Sequence, residues 1–377
     1  MSPERDKTMH GKVVRPIVRA CALAAVLAGA VVLSGARQAP APAAAPSTFA
    51  ARVAALSEPE GYFDTDNLIS NESSYLQVSP ELRRRRGTAT AYIGVGPDQN
   101  FSYIAEMRPS IAFIIDVRRD NLLLHLLFKG LFEGSRTRIE YLSQLFGRPA
   151  PENPESWKDA GIDRLIAHVD KTAAKDVDTL RMRVNGIIRR FGVPLSTADL
   201  QTIDRFHRRF IEAGMSLQFQ TTGRPPQSYY PTYRQLLAET DPAGKQASFL
   251  ASEEAFLVVK KLQAQDLVIP VVGDLSGPSA LAAIGRMLTA RRESVAAFYV
   301  SNVEFYLFGQ GTFGQFVHNL GRVPHSANGV LIRSIFGRFT YGRGGGSVSR
   351  TQSIDELLSA FAAGRIRYYG DLAGVGG

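Results

Sequence analysis

Two apolar runs of strand length, "TATAYIGVG" and "SIAFIIDV", stand one helix apart, and a glycine pair closes the first. That order constrains the fold more than any other feature of the chain. Between them, "DQNFSYIAEMR" places Phe101, Ile104 and Ala105 on one helical face. The second run is continuously apolar, as a strand covered on both sides must be. "NLLLHLLFKGLF" follows, too long for a typical strand, and reads as a buried helix. A βαβα unit of this kind predicts a parallel sheet with right-handed crossovers.

Residues 133–235 break the rhythm. They are rich in charged side chains at helical spacing and read as a large helical insertion, closed by the Pro/Tyr-rich loop "TTGRPPQSYYPTYRQ". Alternation then resumes. "SEEAFLVVKKLQAQ", "SALAAIGRMLTARR", "TFGQFVHNLGR" and "SIDELLSAFAAG" read as helices, the last with Ser353 as its N-cap and Glu356 as capping-box partner. "DLVIPVVGD", "SVAAFYVSNVEF", "NGVLIRSIF" and "RIRYYGDL" read as strands. The pattern predicts an α/β fold, a doubly wound, mostly parallel, Rossmann-like sheet, in one domain spanning residues 52–377.

Residues 1–36 have the layout of a signal peptide. Arg5, Lys7, Lys12, Arg15 and Arg19 precede the apolar "ACALAAVLAGAVVL", and Ser34 and Ala36 suit cleavage after Ala36. The apolar run is shorter than the ~20 residues of a membrane span, so cleavage and export are expected over an uncleaved anchor, with a periplasmic or extracellular destination. Cleavage would remove five basic and two acidic side chains and lower the net charge from +9 to +6. Cys21 is the only cysteine and falls in this segment, so the expected mature chain has no disulfide, thiolate metal site or cysteine nucleophile. Residues 37–51, Ala/Pro-rich, read as a linker. No membrane span is expected in the mature chain, and no specific nucleic-acid signal is seen.

The candidate site is the glycine turn. Ligands of open α/β sheets bind beyond the carboxyl ends of the strands, where Gly94 and Gly96 let backbone approach them. Asp116, at the end of the next strand, is placed to accept hydrogen bonds from a ribose. The alternative is a tight turn with Asp116 capping a helix. No third fingerprint glycine follows. Pro97, Asp98, Gln99 and Asn100 stand there instead, and Asp98 is expected to occupy the positive end of the helix dipole. Its charge would repel a pyrophosphate, so a phosphate-free cation such as S-adenosylmethionine suits the turn better than NAD or FAD.

"AYIGVGPDQNFSYIAEMRPSIAFIID" resembles the first two strands of class I SAM-dependent methyltransferase-like proteins. "VIPVVGDLSG" is similar to their third strand, whose terminal acid often contacts adenine, and Asp274 matches it. "AAFYVSNVEFYL" takes the place of their fourth. The resemblance covers roughly residues 88–130 and 250–370, by order of elements. It implies a Rossmann-like methyltransferase fold, with S-adenosylmethionine at Gly94, Gly96, Asp98, Asn100, Asp116 and Asp274. The chain departs from the pattern at Tyr92, where the first motif usually has an acid, and at the missing third glycine. The whole chain also resembles an uncharacterised bacterial family of that superfamily, with the same "GVGPDQNFSYI" and "DNLISNE" wording.

"GYFDTDNLISNESSYLQV", residues 61–78, gathers polar residues before the first strand. Folded over the strand ends, it would bring Glu72 to the pocket. Asn302 and Glu304 would reach it by alternating out of the fourth strand. These three are the candidates for acid/base work. Three functions remain open: an exported, degenerate methyltransferase-like protein binding a small ligand; an active cytosolic methyltransferase; or an exported scaffold that holds a partner on its helical insertion.

Overall fold

The structure is a computed structural model that describes residues 48–87, 89–336 and 346–374. The expected signal peptide, its Cys21 and most of the expected linker lie outside the described residues. The last residues of that linker are helical instead: Thr48 caps α1 (Phe49–Leu56) and Phe49 is buried against Phe191. An aromatic anchor directly after a capping threonine outweighs the Ala/Pro composition before it.

α2 (Ser79–Arg84) precedes β1 (Thr90–Val95), α3 (Gln99–Met107), β2 (Ile111–Asp116) and α4 (Arg119–Glu133). The four arginines at 83–86 end α2, and each finds a protein partner: Glu106 and Asp241 for Arg83, Glu81 for Arg84 and Arg85, and Glu106 for Arg86. The chain then forms α5 (Arg138–Leu145), α6 (Ile162–Lys171), α7 (Val177–Arg189), α8 (Thr197–Ala213), α9 (Tyr233–Ala238) and α10 (Glu253–Ala264) before β3 (Val268–Val272). Reciprocal capping boxes open α5, α8 and α9, from Thr137/Glu140, Ser196/Asp199 and Thr232/Gln235. α4 is buried all round from Asn121 to Phe132, because α5, α7, α8 and α10 pack on the sides that the sheet does not cover.

α11 (Ala280–Arg291), β4 (Ser294–Ser301), α12 (Val303–Gln310), α13 (Phe313–Leu320), β5 (His325–Phe336), β6 (Ser347–Ser353), α14 (Ile354–Ala362) and α15 (Tyr369–Gly374) complete the described chain. The strands make one six-stranded sheet in the order β3-β2-β1-β4-β5-β6. All neighbours are parallel except β5 and β6. The order reverses between β1 and β4, which opens a crevice at their carboxyl ends.

Two strand expectations are corrected. "RIRYYGDL" is not a strand; α15 starts at Tyr369, where its ring packs on Phe305 and Phe308 of α12. The sixth strand is "SVSRTQS", a polar run that pairs with β5 at the sheet edge. The expected fourth strand also ends early. Ser301 turns at φ 53°, and Asn302 becomes the N-cap of α12, so Asn302 and Glu304 do not alternate out of a strand.

No helix of the described residues is long and apolar enough to cross a membrane.

Candidate functional site

A cavity of about 200 Å³ lies at the carboxyl ends of β1 to β4. Val95, Gly96 and Pro97 supply one wall, Asp116 to Arg118 the second, and Gly273 to Leu275 the third. Tyr299 and Ser301 of β4 stand opposite, with Asn302, Tyr306 and Leu307 of α12. Residues 62–72 fold across the opening. Tyr306 holds Phe63 edge-on at 4.8 Å, and Thr65 donates its hydroxyl to the Gln220 carbonyl at 2.8 Å.

The turn itself is built from within. Gly96 sits at φ 81°, a conformation that favours glycine, and its carbonyl accepts from His125 Nε2 at 2.9 Å. Burial pushes the His125 pKa down to about 4, so the ring is neutral and serves as a strut. Asn100 points beneath the turn and away from the cavity. Its amide donates to the Val95 and Pro97 carbonyls, while Tyr92 donates to its Oδ1 at 2.7 Å. Gly94 is small for the same reason: a Cβ there would lie 1.9 Å from Asn100 Oδ1 and 2.6 Å from the Tyr92 hydroxyl. Of the expected binding residues, Gly94 and Asn100 thus hold the turn and do not line the cavity. Gly94→Ala is expected to lower the unfolding free energy by about 1–3 kcal/mol through overpacking. An unchanged denaturation midpoint would refute this account of the turn.

Asp98 also faces away from the cavity. It is buried, makes no side-chain cap to α3, and accepts from the Tyr233 hydroxyl of α9 at 2.6 Å. Burial raises its pKa to about 7. The expectation that Asp98 holds a full charge at the helix start and repels a pyrophosphate is therefore corrected. Burial disfavours the anion more than the Tyr233 hydrogen bond favours it, so this carboxyl keeps its proton more readily than a solvated one.

Asp116 does reach the cavity, but it arrives paired. The Arg118 Nε and Nη2 donate to its two oxygens at 3.1 and 2.9 Å. Arg118 Nη1 also donates to the Thr65 carbonyl at 2.9 Å, tying residues 62–72 to β2. Asp274 lines the third wall and accepts the Ser276 amide and hydroxyl at 2.7 and 2.8 Å. Each carboxylate keeps lone pairs for a ligand.

Glu72 forms the floor. It is 0% exposed, yet its nearest partners are all neutral. Tyr299 and Ser301 donate to its Oε1 at 2.5 and 2.6 Å, and Gln99 Nε2 to its Oε2 at 3.5 Å. Burial pushes its carboxyl above the ordinary range, against the hydroxyls that favour the anion. The Gln99 Oε1 beside it is buried without a partner. Asn67 and Ser301, both on the cavity wall, hold φ 45° and 53°. Such strain costs on the order of 1–3 kcal/mol for a residue other than glycine and concentrates at ligand sites.

Glu304 is absent from the cavity lining. It is buried and its oxygens take Arg333 Nε and Nη2 at 2.6 and 3.0 Å. Asn302 does line the cavity, from its N-cap position. Sequence reasoning missed Gln99, Arg118, Tyr299 and Ser301. Arg118 alone had a local signal, as a cation two residues beyond the strand-end acid.

Residues 67–182 and 201–357 match the family described as Domain of unknown function (DUF7790). The chain belongs to this family. The DUF7790 match includes Glu72, the glycine turn, Asp116, Asp274 and the β4–α12 corner, whereas Tyr62, Phe63 and Thr65 of the covering segment precede it. Residues 183–200, at the end of α7 and the start of α8, fall between its two matched segments. Among curated proteins none matches the chain.

Proposed function

We propose that this chain is a small-molecule-binding protein of methyltransferase-like, Rossmann type, whose cavity takes an adenosyl ligand such as S-adenosylmethionine. In this reading the helices of residues 133–235 are an insertion between β2 and β3. The observation that carries it is convergence: the Gly96 turn, Asp116 and Asp274 end three neighbouring strands and line one cavity at the reversal of strand order. Charge supports a phosphate-free ligand, on a different ground from Asp98. Among the described residues Arg118 is the one basic side chain of the lining, and Asp116 already holds it. The buried Glu72 favours chemistry at the floor, where a carboxyl of raised pKa can exchange a proton with a bound group. Methyl transfer is the second reading on that account. The basic, apolar and small-residue order of residues 1–36 supports an exported protein.

Calorimetry on the full chain with S-adenosylmethionine, S-adenosylhomocysteine and NAD tests the binding claim. The adenosyl pair is expected to bind at least about tenfold more tightly than NAD, a difference of about 1.4 kcal/mol. Asp274→Asn keeps the Ser276 bonds open to its Oδ1 and is expected to weaken the adenosyl ligands by about 1.5–3 kcal/mol, as for other hydrogen bonds to charged groups. Equal or tighter NAD binding, or no binding by folded protein, would overturn the reading.

A further inference from the structure

A second groove, of about 450 Å³, lies between α5 and α7. Three cations from three stretches of chain meet there: Arg148 after α5, Lys175 before α7, and Arg183 on α7. None of the three has an ion pair among the described residues. By contrast Arg181, two residues earlier on α7, is paired with Asp178 and Asp204, and Arg118, Arg119 and Arg138 also hold carboxylates. Arg148 is instead fixed by carbonyls, donating to Phe146 at 2.8 Å and Val169 at 3.4 Å. Arg183 is aimed by Gln144, whose Oε1 accepts from its Nη2 at 3.0 Å. The Lys175 amide donates to the Gly147 carbonyl at 3.1 Å, which sets that residue beside the end of α5.

The lining supplies more than charge. Ser143 is 1% exposed, and its hydroxyl has no partner. A buried hydroxyl without a partner costs free energy unless something outside the chain accepts from it. α7 also begins here. Its N-cap, Asp176, holds φ 50° and makes no side-chain cap, so the first-turn amides near Thr179 are not satisfied from that side chain. Two acids share the groove. Glu140 is already engaged by Arg136 and by the two amides at the start of α5, and Asp176 is exposed at the rim.

We infer that this groove binds a phosphate group, held by Arg148, Lys175 and Arg183, with the Ser143 hydroxyl and the start of α7 as further donors. A phosphate offers enough acceptor oxygens for donors arriving from several directions, where a carboxylate offers two. The site is independent of the cavity at the strand ends and of any reading of it.

The test is titration of the full chain with inorganic phosphate and with glycerol 3-phosphate, followed by calorimetry in buffer of fixed ionic strength. The tighter of the two is expected to bind with a Kd of about 1 mM or below. Inorganic phosphate as the tighter ligand identifies a free ion, and the ester a phosphorylated metabolite; either upholds the site. Lys175→Ala and Arg183→Ala change exposed side chains and should leave the fold intact by circular dichroism. Each is expected to weaken binding about fivefold or more, as loss of a charge-assisted bond does, and Ser143→Ala about threefold. Acetate should bind more weakly than phosphate. Binding no tighter than about 10 mM, or binding unchanged in the Lys175→Ala/Arg183→Ala double variant, overturns the inference.

Discussion

Glu304→Ala is expected to destabilise the chain by about 3–5 kcal/mol, because it leaves a buried guanidinium without its counter-ion. Arg333 is 2% exposed and Glu304 0%, and the two make a two-pronged contact across α12 and β5. Arg333 Nη1 goes on to Gln352 of β6 at 2.7 Å. The triad fastens the α12 wall of the cavity to the edge of the sheet. Removing both charges together, as Glu304→Met with Arg333→Met, should recover much of the loss, since an apolar pair of similar volume needs no desolvation of charge. Urea denaturation of the two variants decides it. A single variant within about 1 kcal/mol of the parent would mean that the pair is far better solvated than its burial implies.

The second large effect is a pH dependence from Asp98. Its pKa is raised from 3.8 to about 7 by burial, so the folded chain holds a proton there that the unfolded chain releases. The contribution of Asp98 to stability is therefore greatest at acid pH. It declines as pH rises from about 4 to about 7, at about 1.4 kcal/mol per pH unit, and is flat above. The whole span is on the order of 4 kcal/mol as an upper bound. Asp98→Asn still accepts from Tyr233 and cannot ionise. Its stability relative to the parent should thus grow from about pH 4 to about pH 7 and level off above, and the growth is the quantity to measure. Glu72 and Glu239 are also raised by burial, so only the difference between variant and parent isolates Asp98. A constant difference would show that Asp98 is already ionised at acid pH.

The strands that are buried on both faces were legible in the sequence, because apolar runs such as "AFIID" and "VIPVV" admit few other fates. β6 was not. Its buried positions include Ser347, Ser349 and Gln352; the Ser347 hydroxyl, the Ser349 amide and the Gln352 Oε1 find Ser74, Gln77 and Arg333 across the fold. No local pattern encodes such partners. The site divides in the same way. Gly96, Asp116 and Asp274 follow from strand order, and Glu72 from a polar segment placed before β1. The roles of Asp98, Asn100 and Glu304 turn on what faces them, namely Tyr233, Tyr92 and Arg333, from 135, 8 and 29 residues away. A carboxylate looks alike in sequence whether it awaits a ligand or already holds an arginine.

The β2–β3 pairing has a consequence for how the molecule is made. Asp116 lies beside Val272, yet α4 to α10 all intervene between the two strands. β1, α3 and β2 can associate as soon as they leave the ribosome, since their contacts are local. β3 has no such option. Its loop closes only after the intervening helices have collapsed and brought its ends together, because the entropy of that closure must be met first. Until then α4, with leucines and phenylalanines on most of its surface and only the stripe of Asn121, His125 and Lys129 polar, lacks α7, α8 and α10 as cover. The nascent chain thus carries its stickiest helix uncovered through the synthesis of more than a third of its length, an interval in which aggregation competes with folding and a holding chaperone has something to hold.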